Sequence, residues 1–404
     1  MRINIVDCIM GSGKTAASIN LINNSESDEK FIYVTPYLNE VERVISSCPD
    51  KKFKEPQRYG TKINGIKYLL QNGENIATTH SLFHLFDDEI LELCYSQGYT
   101  LFMDEVTDVV EPYEIDKNDI EVLFENFITI DEKTKLLNWR EDKKDYSFLG
   151  KFIDIKRLCE NGSLAMYGDQ IMMWMFPIKI FKAFSESYIL TYMFDAQMQK
   201  YYYDFYNLEY KYMSVEGSSL PEYHFTENKI NTDNHSKYKD LINIIDNDKL
   251  NRIGELDYSL SKGWYGKHKD DALFKTLKKN TCNFFIHIVD NPSSNNNLWT
   301  TFKDYKDKLK GKGYTKGFAP ANARATNEFR DRHNVAYLIN RYFNPVIKQF
   351  FISQNIKVDE DMYALSEMLQ FIWRSAIRCG EKITIYIPSK RMRTLLINWM
   401  EGDF

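Results

Sequence analysis

Apolar positions along this chain fall into short runs separated by longer, polar and periodic stretches, the pattern of strands alternating with helices. Met1–Val6 (MRINIV) predicts a strand, and Thr15–Asn24 (TAASINLINN) predicts a helix soon after it. Phe31–Val34 is a β-rich run stopped by Thr35-Pro36, and Tyr37–Ser47 is a helix candidate. Gly65–Gln71 reads as a short helix end, and Asn75–Thr79 as a strand closing on hydroxyl-bearing residues, with Ser81 placed to cap the next helix. Tyr99–Met103 is a strand of the buried type. Farther on, Ser187–Met193, Pro221–Ile230, Cys282–Val289, Tyr314–Ala319 and Lys382–Ile387 predict strands. Lys117–Asn126, Asp154–Glu160, Met198 onward, His235–Asp248, Asp270–Lys279, Glu367–Cys379 and Ser389–Trp399 predict helices. Strand–helix alternation on both sides of a less regular middle implies an α/β chain with two parallel sheets.

Composition narrows the class. The 404 residues, 43% hydrophobic and 15% aromatic, are enough for two or three packed domains. No apolar run approaches a membrane span, and a secretory leader is not expected, because Asp7 and a glycine loop come too early. The six cysteines (8, 48, 94, 159, 282, 379) form no C-x-x-C pair, which argues for free thiols in a reducing, cytoplasmic compartment and against zinc. Net charge is −5, but it is unevenly spread. Residues 301–404 carry 18 Lys and Arg against 11 Asp and Glu, whereas residues 1–300 carry 34 against 46. A basic C-terminal quarter suits a phosphate-binding face.

Three stretches carry candidate chemistry. Asp7-Cys-Ile-Met-Gly-Ser-Gly-Lys-Thr15 lies between a predicted strand and helix. Its glycines let backbone N–H groups close on phosphate oxygens, and the helix N-terminus adds a favourable dipole. Gly11, Ser12, Gly13, Lys14 and Thr15 are the expected nucleotide contacts, with Lys14 on the β- and γ-phosphates and the Thr15 hydroxyl on Mg2+. Cys8 stands where the general phosphate-loop pattern has glycine. Second, the strand Tyr99–Met103 delivers two adjacent carboxylates, Asp104 for the metal shell and Glu105 to orient and deprotonate water. Third, Gln370, Arg374 and Arg378 are spaced i, i+4 and i+8 and would share one face of a helix. Two arginines there can meet the charge that develops in phosphoryl transfer.

In this order the three stretches resemble motifs I, II (Asp104-Glu-Val-Thr107) and VI of superfamily 2 helicases. Thr35-Pro36, the Ala-Thr-Thr-His-Ser-Leu-Phe segment around Thr79 and His80, Thr191 in its strand, and Pro320–Asn327 are similar in position to the lesser motifs of that family. The glycine before the first arginine of motif VI is replaced by Trp373, and the second arginine is one residue late. The resemblance implies two RecA-like lobes. Residues 1–110 and 186–205 would form lobe 1, 111–185 a partly helical insertion, and 206–404 lobe 2. It implies ATP and Mg2+ as cofactors, with Lys14, Glu105, Arg374 and Arg378 catalytic, Gln370 on the nucleotide, and Thr15 and Asp104 on the metal. Thr35, Pro36, Thr79, His80, Arg324, Thr326 and Asn327 would face nucleic acid.

The expected function is an ATP-driven helicase or translocase on single-stranded or forked DNA, RNA being the other candidate strand. Work alongside replication proteins in a phage- or virus-infected cytoplasm is implied. A remodelling ATPase that does not unwind shares every motif. A P-loop small-molecule kinase shares the first two but has no need of a second lobe.

Overall fold

The computed structural model describes all residues except 144–149, 169, 220, 228–234, 322–327 and 404. It confirms an α/β fold with parallel sheets, in two units. The first comprises Met1–Asp7, Lys14–Asn228 and Asn344–Val358, and the second Cys8–Gly13, Lys229–Phe343 and Asp359–Phe404.

In the first unit β1 (Arg2–Asp7) leads to α1 (Lys14–Asn24), β2 (Phe31–Thr35), α2 (Leu38–Ser47), α3 (Lys62–Gln71) and β3 (Ile76–Thr79). The one-turn α4 (His80–Phe83), α5 (Asp88–Ser96) and β4 (Thr100–Asp104) follow. The middle region holds β5 (Val110–Pro112), α6 (Lys117–Asn126), β6 (Ile128–Ile130), β7 (Leu137–Trp139), α7 (Ile153–Glu160), β8 (Leu164–Tyr167) and β9 (Ile171–Met175). After α8 (Lys179–Lys182) the chain returns through β10 (Glu186–Thr191), α9 (Met198–Phe205), β11 (Lys211–Glu216) and β12 (His224–Thr226). The main sheet has the order β12-β11-β1-β10-β4-β2-β3. Every pairing in it is parallel except the edge pair β11–β12. Ile3, Ile5, Val6, Leu101, Phe102, Met103, Ile189 and Leu190 are fully or almost fully buried, as expected of central parallel strands covered on both faces.

The middle region is richer in strands than expected. Strands β5, β9 and β8 form an antiparallel sheet, and β6–β7 a hairpin. β9 carries the apolar run Met172-Met-Trp-Met175, and its Met172 packs with Leu123, Ile128, Leu137, Leu164 and Met166 in a core of the middle region. The expected boundary at 205/206 also moves. β11 pairs with β1, so the first unit continues to Asn228.

The second unit contains α10 (His235–Lys239), β13 (Ile242–Ile244), α11 (Asp248–Asn251), α12 (Lys262–His268), α13 (Ala272–Asn283), β14 (Asn297–Thr300), α14 (Lys306–Leu309) and β15 (Asn334–Tyr337). Next in the chain, α15 (Pro345–Ser353) belongs to the first unit, where Phe350 and Phe351 meet Phe205, Tyr167 and Tyr201. α16 (Glu360–Ile372), β16 (Ile383–Tyr386) and α17 (Lys390–Glu401) complete the second unit. Its sheet, β13-β16-β15-β14, is wholly parallel.

Two predicted strands are not strands. Cys282–Val289 continues α13 and then forms a π-helical turn over Phe284–Ile288. Its apolar residues extend the helical series Phe274, Leu277, Thr281, Phe284, and burial of that series outweighs the β propensity of the run. Tyr314–Ala319 contains a 3-10 turn, and among the described residues its β-type pairing with β14 is the isolated Trp299–Phe318 bridge.

Candidate nucleotide-binding site

The polar residues of the first unit gather at the carboxyl ends of its parallel strands. This edge of an open α/β sheet is where ligands bind, because helices start there and strands cease to cover it. The register sets Asp7 of β1 beside Thr191 of β10, Leu190 beside Asp104 of β4, and Thr35 of β2 beside Thr79 of β3. One row of carboxylates and hydroxyls therefore crosses five neighbouring strands.

The loop after β1 follows from its sequence. Gly11 (φ +83°) and Gly13 (φ +90°) occupy the left-handed region that side chains disfavour, and a Ser12 N–H to Ile9 carbonyl bond of 3.2 Å closes the turn. Lys14 opens α1 and is buried, a placement an ammonium tolerates only beside opposite charge, here Asp104 and Asp7. Thr15 then directs its hydroxyl to the Asp104 carboxylate, Oγ1 to Oδ2 3.3 Å. The predicted phosphate loop and acidic pair, 89 residues apart, thus meet side chain to side chain.

Burial raises the Asp104 carboxyl to about 7, and the neighbouring Glu105 charge adds to the rise. Lys14 and Arg43 act in the opposite sense. Glu105 sits at φ +67° with its N–H on the Leu190 carbonyl at 2.9 Å. A left-handed glutamate costs roughly 1–2 kcal/mol, which the sheet imposes by fixing the strand end. His80 places Nε2 2.9 Å from the Asp104 carbonyl, so it supports the acidic turn. Thr35 and Thr191 are fully buried, and their hydroxyls, like that of Ser12, have no partner among the described residues. Pro36 and Thr79 are partly exposed near the same edge.

Sequence reasoning missed the residues that brace this row. Asp7 accepts hydrogen bonds from the Met193 and Phe194 N–H groups at 2.7 and 3.0 Å. Burial raises its carboxyl, while those two bonds and Lys14 pull it back. Thr107 gives its N–H to Gln199 at 3.1 Å, and Gln199 in turn bonds the Tyr203 hydroxyl at 2.7 Å. His84 bonds the Thr107 hydroxyl. An acidic residue closing an otherwise apolar strand was the available signal for Asp7. The Gln199 contact has none, since it depends on where α9 docks.

In the second unit the expected helical face does not form. α16 ends at Ile372, and Ser375 breaks the helix with extended backbone and a hydroxyl bond to the Ile372 carbonyl at 2.6 Å. Ala376–Cys379 is a separate 3-10 turn. Gln370, on α16, is partly buried, and Arg378 is exposed on that turn. Arg374 is 4% exposed and donates to the Pro320 and Ala321 carbonyls at 2.7 and 3.1 Å. The three side chains therefore do not share a helix. Arg324, Thr326 and Asn327 lie outside the described residues.

An ATP-bound magnesium takes oxygen ligands, including a hydroxyl and one or two carboxylates. Thr15 and Asp104 fit that demand, and the Gly11–Lys14 turn fits a phosphate chain.

The fold and this edge define an α/β protein with a glycine-rich strand–turn–helix and an acidic strand end. Comparison with known proteins then places the chain. Residues 236–400 match the family model described as the YonV C-terminal Rossmann-like domain, and residues 110–174 match the YonV middle domain. Over 412 aligned residues the chain is 41% identical to the SPbeta prophage-derived uncharacterized protein YonV of Bacillus subtilis (strain 168), covering 100% of this chain and 99% of that one. The chain belongs to the YonV family. Solved structures similar to it include a hypothetical ATP-dependent RNA helicase from Sulfolobus tokodaii (11% identity, 98% of this chain and 90% of that one, TM-score 0.28). Xpd4 of S. tokodaii is another (9% identity, 98% and 93%, TM-score 0.40).

Proposed function

We propose that this protein hydrolyses ATP with magnesium at the carboxyl edge of its first sheet and uses the cycle to move along nucleic acid, as a helicase or translocase does. The observation that carries the reading is the 3.3 Å approach of the Thr15 hydroxyl to the Asp104 carboxylate, beside buried Lys14. In this reading Gly11, Ser12, Gly13 and Lys14 hold the phosphates, and Thr15 and Asp104 hold the metal, which supplies charge neutralisation on the β- and γ-oxygens. Glu105 takes the proton from the attacking water. Asp7 is a positioning residue that ties the start of the loop to the backbone after β10.

The nucleic-acid half of the proposal rests on the motif resemblance and on the hydroxyls of Thr35 and Thr79 at the same edge. Single-stranded or forked DNA is the proposed track, in replication or recombination of a mobile genome in its host's cytoplasm. Gln370, Arg374, Arg378, Arg324, Thr326 and Asn327 remain proposed second-unit contacts. Of the two described arginines, Arg374 already has carbonyl partners in its own unit.

The test is steady-state ATP hydrolysis with and without single-stranded DNA, for the natural protein and Lys14→Ala. Stimulation by DNA that Lys14→Ala abolishes is the expected result. Hydrolysis indifferent to both DNA and RNA overturns the motor and leaves an ATPase or kinase. Stimulated hydrolysis without strand separation selects remodelling over unwinding.

A further inference from the structure

Between residues 262 and 316 the chain carries 12 lysines, no arginine and no glutamate, against five aspartates, in a protein whose net charge is −5. The segments that carry these lysines are joined to one another in the second unit. α12 packs on α13, with the Tyr265 ring edge-on to Phe274 at 6.0 Å, and Tyr265 also stacks on Tyr305 at 5.0 Å, which ties α12 to the 303–316 segment. Lys278 Nζ donates to the Lys308 carbonyl at 3.0 Å, and Lys308 Nζ meets Asp270 at 2.7 Å, which joins α13 to the segment that contains α14. A Cβ at Gly311 would lie 2.7 Å from the Cys282 sulfur, so that segment runs close against the end of α13.

Most of this charge is uncompensated. Asp270 is used on Lys308, Asp307 on Lys310 and Asp271 on His268. Lys262, Lys267, Lys275, Lys279, Lys312 and Lys316 are exposed, and none has a carboxylate partner among the described residues. Lys275 and Lys279 stand i, i+4 on α13, where like charges repel unless an anion lies between them. Leu273 is the large apolar side chain exposed on this surface, so the face offers little for insertion into a bilayer.

We infer that the lysine face of α12, α13 and residues 303–316 binds the phosphate backbone of a nucleic-acid strand without reading its sequence. Lysine is a point charge with no fork to match a base edge, so an all-lysine surface suits phosphates and not base recognition. The inference rests on the nucleic-acid reading above for the identity of the polyanion, and it assigns the main electrostatic contact to residues of the second unit.

The experiment is fluorescence anisotropy of a labelled oligo-dT across a salt series. The full chain is compared with a variant carrying Lys267→Gln, Lys275→Gln, Lys279→Gln and Lys312→Gln, and with the four Lys→Arg changes at the same sites. The glutamine variant is expected to lose at least about tenfold in affinity at low salt, and its log K against log salt slope should fall by about 3, near 0.7 per phosphate released. The arginine variant should bind like the natural protein. Unchanged affinity and slope in the glutamine variant overturn the inference, as does preference for anionic phosphatidylserine vesicles over oligo-dT. ATP hydrolysis without nucleic acid separates the two claims. Hydrolysis intact with binding unchanged sinks the lysine face alone. Binding lost on the glutamine changes, in a protein that never hydrolyses ATP, sinks the motor alone.

Discussion

At the carboxyl edge of the first sheet the end groups are oxygens: Asp7, Thr191, Asp104, Thr35 and Thr79, with the Thr35 and Thr191 hydroxyls lacking partners among the described residues. At the same edge of the second sheet, Thr300 pairs in register with Tyr337, and both hydroxyls are buried and without described partners. Three arginines of that unit, however, already have partners. Arg341 pairs with Glu367 at 3.2 Å and bonds the Tyr363 hydroxyl at 3.1 Å, and Arg374 holds two main-chain carbonyls. Arg391 bonds Asp361 and the Arg341 carbonyl. Two parallel sheets of one chain thus differ in how their strand ends are satisfied. One edge keeps acidic and hydroxyl groups around the buried Lys14, the arrangement on which the proposed metal–phosphate site rests. The other is internally paired, and the second unit carries its unspent positive charge on an outer helical face instead.

The strongest way to break this contrast is Lys14→Ala. It is expected to lower ATP hydrolysis by roughly 10²–10³-fold, the scale of losing one preorganised charge donor, with no change in far-UV circular dichroism. A variant that hydrolyses normally would remove the first edge from the chemistry. Glu105→Gln should cut hydrolysis by about 10²–10⁴-fold while nucleotide binding, followed with a fluorescent ATP analogue, persists. Arg374→Ala acts on the internally paired unit. The Pro320 and Ala321 carbonyls lose the buried guanidinium that donates to them, so unfolding stability should fall by about 2–3 kcal/mol in a denaturant titration. Arg378→Ala, exposed, should stay within about 0.5 kcal/mol, so any loss of hydrolysis there is chemical and not structural.

A finer test uses protons. Asp104 is raised from its ordinary 3.8 to about 7, so the free protein has the full benefit of its neutral form below pH 3.8 and loses it as pH rises through 7. Magnesium with ATP needs the ionised form. The thermal shift it produces should therefore grow from pH 6 to pH 8, and Asp104→Asn should flatten that growth. The smallest effects expected are those of Thr35→Val and Tyr337→Phe. Each removes a buried hydroxyl with no described partner, and each should leave stability unchanged or raise it by up to about 1 kcal/mol. Loss of oligo-dT binding in Thr35→Val alone would show that the first edge uses its free hydroxyl and the second does not.

Local chemistry along the chain forces several of these features. Gly11 and Gly13 had to turn, Lys14-Thr15 had to open a helix, and an apolar strand had to deliver Asp104 and Glu105 to a sheet edge. These depend on residues within a few positions of one another. Tertiary structure alone decided the rest. The 282–288 run is helical because its rings complete a buried face with Leu277, not because of its own propensity. β11 joined the first sheet through pairing with β1, more than 200 residues away in the chain, and α15 returned to that unit by docking Phe350 and Phe351. The Gln370–Arg378 spacing could not reveal that Ser375 would end the helix, or that carbonyls some 50 residues earlier would take the Arg374 guanidinium. Short apolar runs and long charged side chains have several local options of similar energy, and only distant partners choose among them.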